Sequence, residues 1–211
     1  MLENLARTLL TMSKKEPRTI SEYMNCLGIL ESQTSLLYKS ISDKVEVPLI
    51  KTLLKEIEID SQKHYMLLKG ITESIAKPKG NQKKCSKTSE TLQTTERLLK
   101  EVAGIKRIGP EDLIRLSEIL ETLESAMAEE YYMLVQMKTL QMMMTEINQM
   151  YNIDLYNVKD IFTNIINDED HHREILETIK QLVAKKEQAS NAPFVKFQNP
   201  EAWSRPTPST F

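Results

Sequence analysis

The chain has 211 residues, enough for one domain with a substantial core or for two small ones. Its formal net charge is −2, so we expect no basic face that could bind nucleic acid through its phosphates. Five glycines and an aromatic content of 6% accompany eleven methionines, a composition that favours an all-helical protein.

The two cysteines and the hydropathy pattern bear on where the protein resides. Cys26 and Cys85 do not form a C-x-x-C motif, so we expect neither a disulfide framework nor a zinc or rubredoxin-type site. The N-terminus lacks the apolar segment of a signal peptide, and no apolar run has the length of a bilayer span. These features predict a cytoplasmic protein without membrane contact.

The first half of the chain predicts two long helices. The first begins at Glu16-Pro17, because proline suits the first helical turn, and it runs past Ile41. A turn at residues 43–48 leads into the second, which extends to Ala76. Interior positions recur at steps of three and four, the spacing of one helix face. These positions are Ile20, Met24, Leu27, Glu31, Thr34, Tyr38 and Ile41, then Ile50, Leu53, Ile57, Ser61, His64, Leu68 and Ile71.

The second half predicts another helix pair after a long crossover, which includes a short helix at residues 86–102. The third helix begins at Pro110, and the fourth runs from Asp154 to Lys186. Their inward faces are Leu113, Leu120, Glu124, Met127, Tyr131 and Leu134, then Val158, Ile161, Ile165, Glu169, His172, Leu176 and Ile179. Residues 1–190 therefore form a predicted four-helix bundle.

Two further segments lie outside this helical pattern. The segment between the third and fourth helices, residues 141–152, is rich in methionine, which suits irregular gaps in a lengthened helix. Residues 191–211 contain four prolines and predict an extended tail. The aromatic residues of this tail favour packing along the bundle or along a neighbouring subunit.

An internal repeat relates the two halves. One stretch recurs at an offset of 93 and another at an offset of 108. The matching pairs are Pro17/Pro110, Leu27/Leu120, Leu30/Leu123, Glu31/Glu124, Ser32/Ser125, Tyr38/Tyr131, Lys51/Lys159, Ile57/Ile165, Asp60/Asp168, His64/His172, Leu68/Leu176 and Ile71/Ile179. The repeat therefore includes carboxylates within apolar faces and two of the three histidines of the chain.

These polar residues predict a metal site between four helices. Ionised carboxylates in a core cost several kcal/mol each unless an opposite charge compensates them. A divalent metal would provide that charge, and Glu169-x-x-His172 places two ligands on one helix face. Oxygen and imidazole ligands suit iron or manganese, with zinc as an alternative. The predicted ligands are Glu31, His64, Glu124, Glu169 and His172.

Three nearby residues compete with this set. His171 lies about 100° from His172 around the helix and is expected to face solvent. Glu129 and Glu130 lie about 140° and 240° from Glu124, and only Glu124 has a counterpart in the repeat.

The motifs resemble those of the ferritin-like superfamily, and most closely its rubrerythrin branch. The resemblance covers residues 17 to 185 and rests on Glu31 through Tyr38, Glu124 through Tyr131 and Asp168-Glu169-x-x-His172, together with the helix that bears His64. It implies a four-helix bundle with one long crossover and a di-iron centre in the core.

The resemblance also implies a role for each residue. Glu31 and Glu124 would be terminal ligands, His64 and His172 would each bind one metal, and Glu169 would bridge the two. Asp60 and Asp168 would accept the free N–H of a ligand histidine and fix its tautomer. Tyr38 and Tyr131 would hydrogen-bond a ligand carboxylate at the catalytic centre.

Ser61 is the main departure from the family pattern. It stands where the second bridging glutamate is expected, so three carboxylates would face two divalent ions. A hydroxide, a bound anion or an ionised Asp60 would close the charge gap. The alternatives are a single metal ion or a site without one.

The expected function is that of an oxidoreductase that reduces hydrogen peroxide or activates dioxygen at two iron ions. Because no Cys₄ module accompanies the bundle, electrons would come from a separate donor protein. We expect a homodimer. The alternatives are a non-catalytic metal-binding scaffold and an iron store, which would require a self-assembling cage.

Overall fold

A computed structural model describes residues 20–75, 82–87, 89–136 and 157–191. Within these ranges the chain forms six helices and no strand, which confirms the all-helical prediction. The helices are α1 (Ile20–Ser42), α2 (Pro48–Ile75), α3 (Gln82–Ser86), α4 (Glu90–Gly104), α5 (Pro110–Gln136) and α6 (Asn157–Asn191).

The two repeated helix pairs pack as pairs. Helix α1 lies along α2, and α5 lies along α6. Contacts between α2 and α6 join the pairs, and α4 packs against both α1 and α5. Each long helix presents one buried apolar face to its neighbours, so the tertiary contacts stabilise helices that would be marginal in isolation.

Local sequence signals explain two of the helix starts. Pro110 opens α5, where its missing N–H costs nothing, and Glu111 and Asp112 follow it at the positive end of the helix dipole. Ser89 caps α4, accepting a hydrogen bond from the backbone N–H of Leu92 at 3.1 Å. The predicted short helix at residues 86–102 is observed as Glu90–Gly104.

The buried face of α2 differs from the prediction at both ends. Leu54 and Thr72 are buried, whereas Leu53 and Ile71 are only half-buried. At both turns the buried residue is the next one along the chain, whereas the predicted Ile50 and Ile57 are buried. Steps of three and of four both keep residues on one helix face, so the spacing did not determine which of two adjacent positions is buried. The central positions Ser61, His64 and Leu68 are buried as expected.

The prediction that the cysteines form no disulfide is wrong. Cys26 on α1 and Cys85 on α3 are bonded to each other, although 59 positions separate them in the sequence. The bond ties the segment between α2 and α5 to α1. Because disulfides are rare in reducing compartments, the expectation of a cytoplasmic location loses the support that it drew from the cysteines.

Several predictions fall outside the described residues. These are the helix start at Glu16-Pro17, the methionine-rich segment 141–152 and the tail, of which only Asn191, the last residue of α6, is described. Among the helices that the structure describes, none is both long and apolar enough to cross a membrane.

Candidate metal centre

The structure brings all five predicted ligand side chains to one place in the protein interior. Glu31 comes from α1, His64 from α2 and Glu124 from α5, while Glu169 and His172 both come from α6. Each of the five is fully buried, with a relative exposure of 0%. Residues that are far apart in the sequence therefore form one polar cluster surrounded by apolar side chains.

The five side chains form two groups that share Glu169. One group contains Glu31 and His64, and the other contains Glu124 and His172. In each group the potential ligand atoms lie within 4.8 Å of one another. A metal ion about 2.0–2.2 Å from each ligand atom requires spacings of this size. Either group can therefore hold one divalent ion, and Glu169 is placed to contact both.

The histidines face the carboxylates through their Nδ1 atoms. His64 Nδ1 is 3.4 Å from Glu31 Oε1 and 3.3 Å from Glu169 Oε1. On the other side, His172 Nδ1 is 3.1 Å from Glu124 Oε2 and 3.7 Å from Glu169 Oε2. The two imidazole rings are 6.2 Å apart between centroids. Each oxygen of Glu169 thus faces a different histidine, as a bridging carboxylate would.

Several polar atoms of this cluster are buried without a hydrogen-bond partner among the described residues. They are Glu31 Oε2, Ser61 Oγ, His64 Nδ1, both carboxylate oxygens of Glu169 and His172 Nε2. A buried polar atom without a partner costs about 1–3 kcal/mol. Metal coordination would satisfy the carboxylate oxygens and His64 Nδ1, so the residues present fit a metal centre.

Two aspartates hold the outer sides of the histidines, each from the other helix pair. Asp168 on α6 lies 3.0 Å from His64 Nε2 through its Oδ2 atom. Asp60 on α2 approaches His172 Nε2 at 3.6 Å, an ion-pair distance. An Nε2–H group donated to Asp168 leaves a lone pair on Nδ1 of His64, the nitrogen that faces the centre.

The two tyrosines cross between the helix pairs in the same way. Tyr38 on α1 donates a hydrogen bond to Glu124 on α5. Tyr131 on α5 donates one to Glu31 on α1, at 2.5 Å. The sequence predicted that the tyrosines would bond to ligand carboxylates but left open which tyrosine serves which glutamate. The structure gives the crossed arrangement, so the contacts follow an approximate two-fold pattern.

Burial and mutual charge shift the pKa values of the metal-free cluster. Burial, reinforced by the charges of Glu124 and Glu31, raises the pKa of Glu169 to about 8. Burial opposes the charging of His64, but the carboxylates of Glu169 and Glu31 prevail and raise its pKa to about 10. His172, likewise opposed by burial, has its pKa raised to about 12 by Asp60 and Glu124. Without metal, protons therefore supply the positive charge that the carboxylates require.

Sequence reasoning did not identify one polar contact outside the centre. Lys63 Nζ lies 2.7 Å from Asp60 Oδ1 and 2.9 Å from Asp168 Oδ2, so one ammonium group joins both outer aspartates. Lys63 has no identical counterpart in the repeat, since the equivalent position is His171. The only sequence signal was its position beside His64.

The competing ligand candidates lie away from the centre. His171 is exposed and faces Glu56 and Glu174. Glu129 is exposed as well, and Glu130 accepts a hydrogen bond from Thr91 at 2.7 Å. The preference for Glu124 on this helix agrees with its complete burial.

Comparison with known proteins assigns no family. No protein-family profile, no curated protein and no solved structure matches the chain. The ferritin-like resemblance therefore rests on the motifs alone.

Proposed function

We propose that this protein is a di-iron carboxylate oxidoreductase of the rubrerythrin type, built on a ferritin-like four-helix bundle. The observation that carries the proposal is the pair of buried three-residue groups that share Glu169. A polar cluster that served only the fold would not need buried carboxylate oxygens without partners. Manganese or zinc would fit the same donor atoms.

In this proposal Glu31 and His64 hold one ion, Glu124 and His172 hold the other, and Glu169 contacts both. When bound, the two ferrous ions would each supply one electron, so that hydrogen peroxide and two protons become two water molecules. The same reducing equivalents would serve dioxygen activation. A separate donor protein would return the electrons.

The surrounding residues would fix the ligands before metal arrives. Asp168 orients the imidazole of His64, so its Nδ1 atom already faces Glu31 and Glu169. Tyr38 and Tyr131 restrict the carboxylates of the terminal ligands through hydrogen bonds. Apolar side chains exclude bulk water from the cluster, which strengthens its electrostatic interactions.

Iron loading tests the proposal directly. Anaerobic addition of ferrous iron is expected to give two ions per chain, and hydrogen peroxide is expected to oxidise them, as followed by ultraviolet absorbance. The exposed Glu129→Gln substitution is the matched control and is expected to change neither result. Stoichiometric iron that reacts with neither peroxide nor dioxygen would refute the redox function and leave only metal binding.

A non-catalytic metal-binding scaffold is the second candidate, and Ser61 is the observation that favours it. With Ser61 in place of a fourth carboxylate, the charge of the donor set balances two divalent ions less well. Under this alternative the purified protein would hold one ion per chain or none. Metal analysis after purification without added metal separates the two candidates.

A further inference from the structure

Ser61 and Glu169 occupy equivalent positions in the two halves. They are related by the offset of 108 that also relates Asp60 to Asp168 and His64 to His172. The aspartates and histidines make crossed contacts between α2 and α6. If α2 and α6 are exchanged, the two contacts map onto each other. In this mapping Ser61 on α2 corresponds to Glu169 on α6. Ser61 therefore belongs to the wall of the metal centre.

The Ser61 side chain is fully buried, yet its hydroxyl group has no hydrogen-bond partner within the described part of the chain. An unpartnered buried hydroxyl is costly unless another molecule accepts a hydrogen bond from it. Serine ends at the point where glutamate has its second methylene group. The group missing from this side of the centre is therefore the carboxylate itself.

The charge of the centre points the same way. Of the groups that face the metal positions, Glu31, Glu124 and Glu169 contribute three negative charges against the four positive charges of two divalent ions. Asp60 and Asp168 contact only the outer Nε2 atoms of the histidines and share the positive charge of Lys63. A buried charge without a partner is strongly unfavourable. A small monovalent anion beside Ser61 would balance the charge of the groups that face the metal ions, accept the hydroxyl hydrogen bond and fill the place of the absent carboxylate.

We propose that Ser61 creates a binding site for a small carboxylate-like monoanion, next to both metal positions and opposite Glu169. This inference rests on the proposed metal centre. Formate matches the site most closely, because it is the missing carboxylate group as a free ion. The anion and the metal ions bind together, so each tightens the binding of the other.

Manganese titration with and without formate tests this site, because Mn²⁺ avoids iron redox chemistry. Metal affinity is measured calorimetrically in formate and in chloride at equal ionic strength. Formate is expected to tighten binding of the second Mn²⁺ on the order of tenfold, equivalent to one hydrogen-bonded charge contact. Propionate, which carries two additional carbons, is the size control and is expected to give no such gain.

The Ser61→Glu substitution supplies the carboxylate covalently. This variant is expected to bind two Mn²⁺ ions in chloride as tightly as the wild type does in formate, and to be insensitive to formate. Ser61→Ala, which removes only the hydroxyl, is expected to keep part of the formate effect. If Ser61→Glu fails to fold, the comparison of formate with propionate on the wild-type protein still tests the site.

The outcomes separate the two proposals. Two Mn²⁺ ions bound equally well in formate, propionate and chloride would overturn the anion site and leave the metal centre intact. Equal gains from formate and propionate would also overturn it, because a defined site discriminates by size. No Mn²⁺ binding under any condition would overturn the metal centre and the anion site together.

Discussion

The α1–α2 and α5–α6 helix pairs present matching terminal glutamates, aspartates, histidines and tyrosines to the centre, and their differences include one exchange inside it and one outside. Inside the centre, the position on α2 that corresponds to Glu169 is occupied by Ser61. Outside the centre, the position on α2 that corresponds to His171 is occupied by Lys63, which contacts aspartates of both helix pairs. The halves are therefore alike in the groups that hold the histidines and terminal carboxylates, and unlike in the groups at the midline.

This difference shows which contacts require both halves. Tyr38 serves Glu124 and Tyr131 serves Glu31, so each half completes the other. A midline group can contact both sides from a single helix, as Glu169 does. The α6 side consequently contributes two residues to the centre, Glu169 and His172, whereas the α2 side contributes His64.

Replacement of Glu169 should have the largest effect. Glu169→Gln keeps the size of the side chain but removes the one carboxylate shared by both groups. We expect loss of both ions, at a cost of about 3–5 kcal/mol each, as when one partner of a buried ion pair is removed. Metal content per chain, measured by elemental analysis after Mn²⁺ loading, checks this.

A substitution in one terminal ligand provides the contrast. Glu31→Gln affects only the group that contains His64 and is expected to leave one ion bound. If Glu169→Gln and Glu31→Gln lose the same number of ions, Glu169 does not bridge the two groups.

The buried polar cluster was predictable because its residues follow the spacing of single helices. Glu169 and His172 are three residues apart, so they lie on one helix face whatever that helix packs against. Glu31 and Glu124 were identified because they correspond to each other in the internal repeat. Their complete burial agrees with the prediction.

The pairing between helices was not predictable from spacing. Sequence periodicity identifies the buried face of a helix but not the neighbour that this face meets. The crossed contacts of Tyr38 and Asp168 therefore required coordinates. The bond between Cys26 and Cys85 was missed for the same reason, since nothing in the sequence places α3 beside α1.

The disulfide makes a further difference between the halves, because the position equivalent to Cys26 in α5 is Ile119. In the chain-entropy description, closing a loop between residues 59 apart stabilises the fold by about 4 kcal/mol. The double substitution Cys26→Ala and Cys85→Ala should lower the free energy of unfolding by about this amount, measured by urea denaturation. Metal stoichiometry should be unchanged, since neither cysteine belongs to the centre.

The effect of a reductant on wild-type protein is the internal control. Reduction should reproduce most of the destabilisation in the wild type and none in the double variant. A wild-type denaturation midpoint that does not respond to reductant would contradict the stabilising role of the bond.

The pH dependence of stability should reverse when metal binds. In the metal-free protein the pKa of Glu169 is raised from 4.5 to about 8, so its neutral form is favoured and stability falls as pH rises through this interval. The raised pKa values of His64 and His172 stabilise the fold fully below their ordinary value of 6.5, and this contribution is lost as pH rises through the folded-state values. Metal ligands must be deprotonated, so metal stabilises the fold more at high pH.

Thermal melting between about pH 6 and about pH 9 measures both slopes. We expect the Tm to fall by about 5–10 °C across this range in a chelator and to rise with Mn²⁺ present. Metal-free Glu169→Gln should show a shallower fall, because only the histidine contribution remains. Slopes of the same sign with and without Mn²⁺ would contradict metal binding at these ligands.

Substitution of Lys63, which occupies the position equivalent to His171, should have the smallest effect on stability and on metal affinity. Lys63 is partly exposed, and exposed ion pairs contribute about 0–1 kcal/mol, so Lys63→Gln should barely change the free energy of unfolding. Its contacts nevertheless fix Asp60 and Asp168, which lie against the Nε2 atoms of His172 and His64. Because such supporting groups typically change metal affinity by 10–100-fold when they are removed, loss of a residue one contact further out should cost less than about tenfold.

Substitutions at matched positions isolate this contribution from a general loss of surface charge. Lys69→Gln removes a lysine from an exposed position of the same helix, and His171→Gln changes the equivalent position on α6. Neither should alter the affinity for Mn²⁺, whereas Lys63→Arg should retain most of it through the same two aspartates. If all three glutamine variants bind Mn²⁺ equally well, Lys63 does not position the histidines. The asymmetry of the centre would then be confined to Ser61 and Glu169.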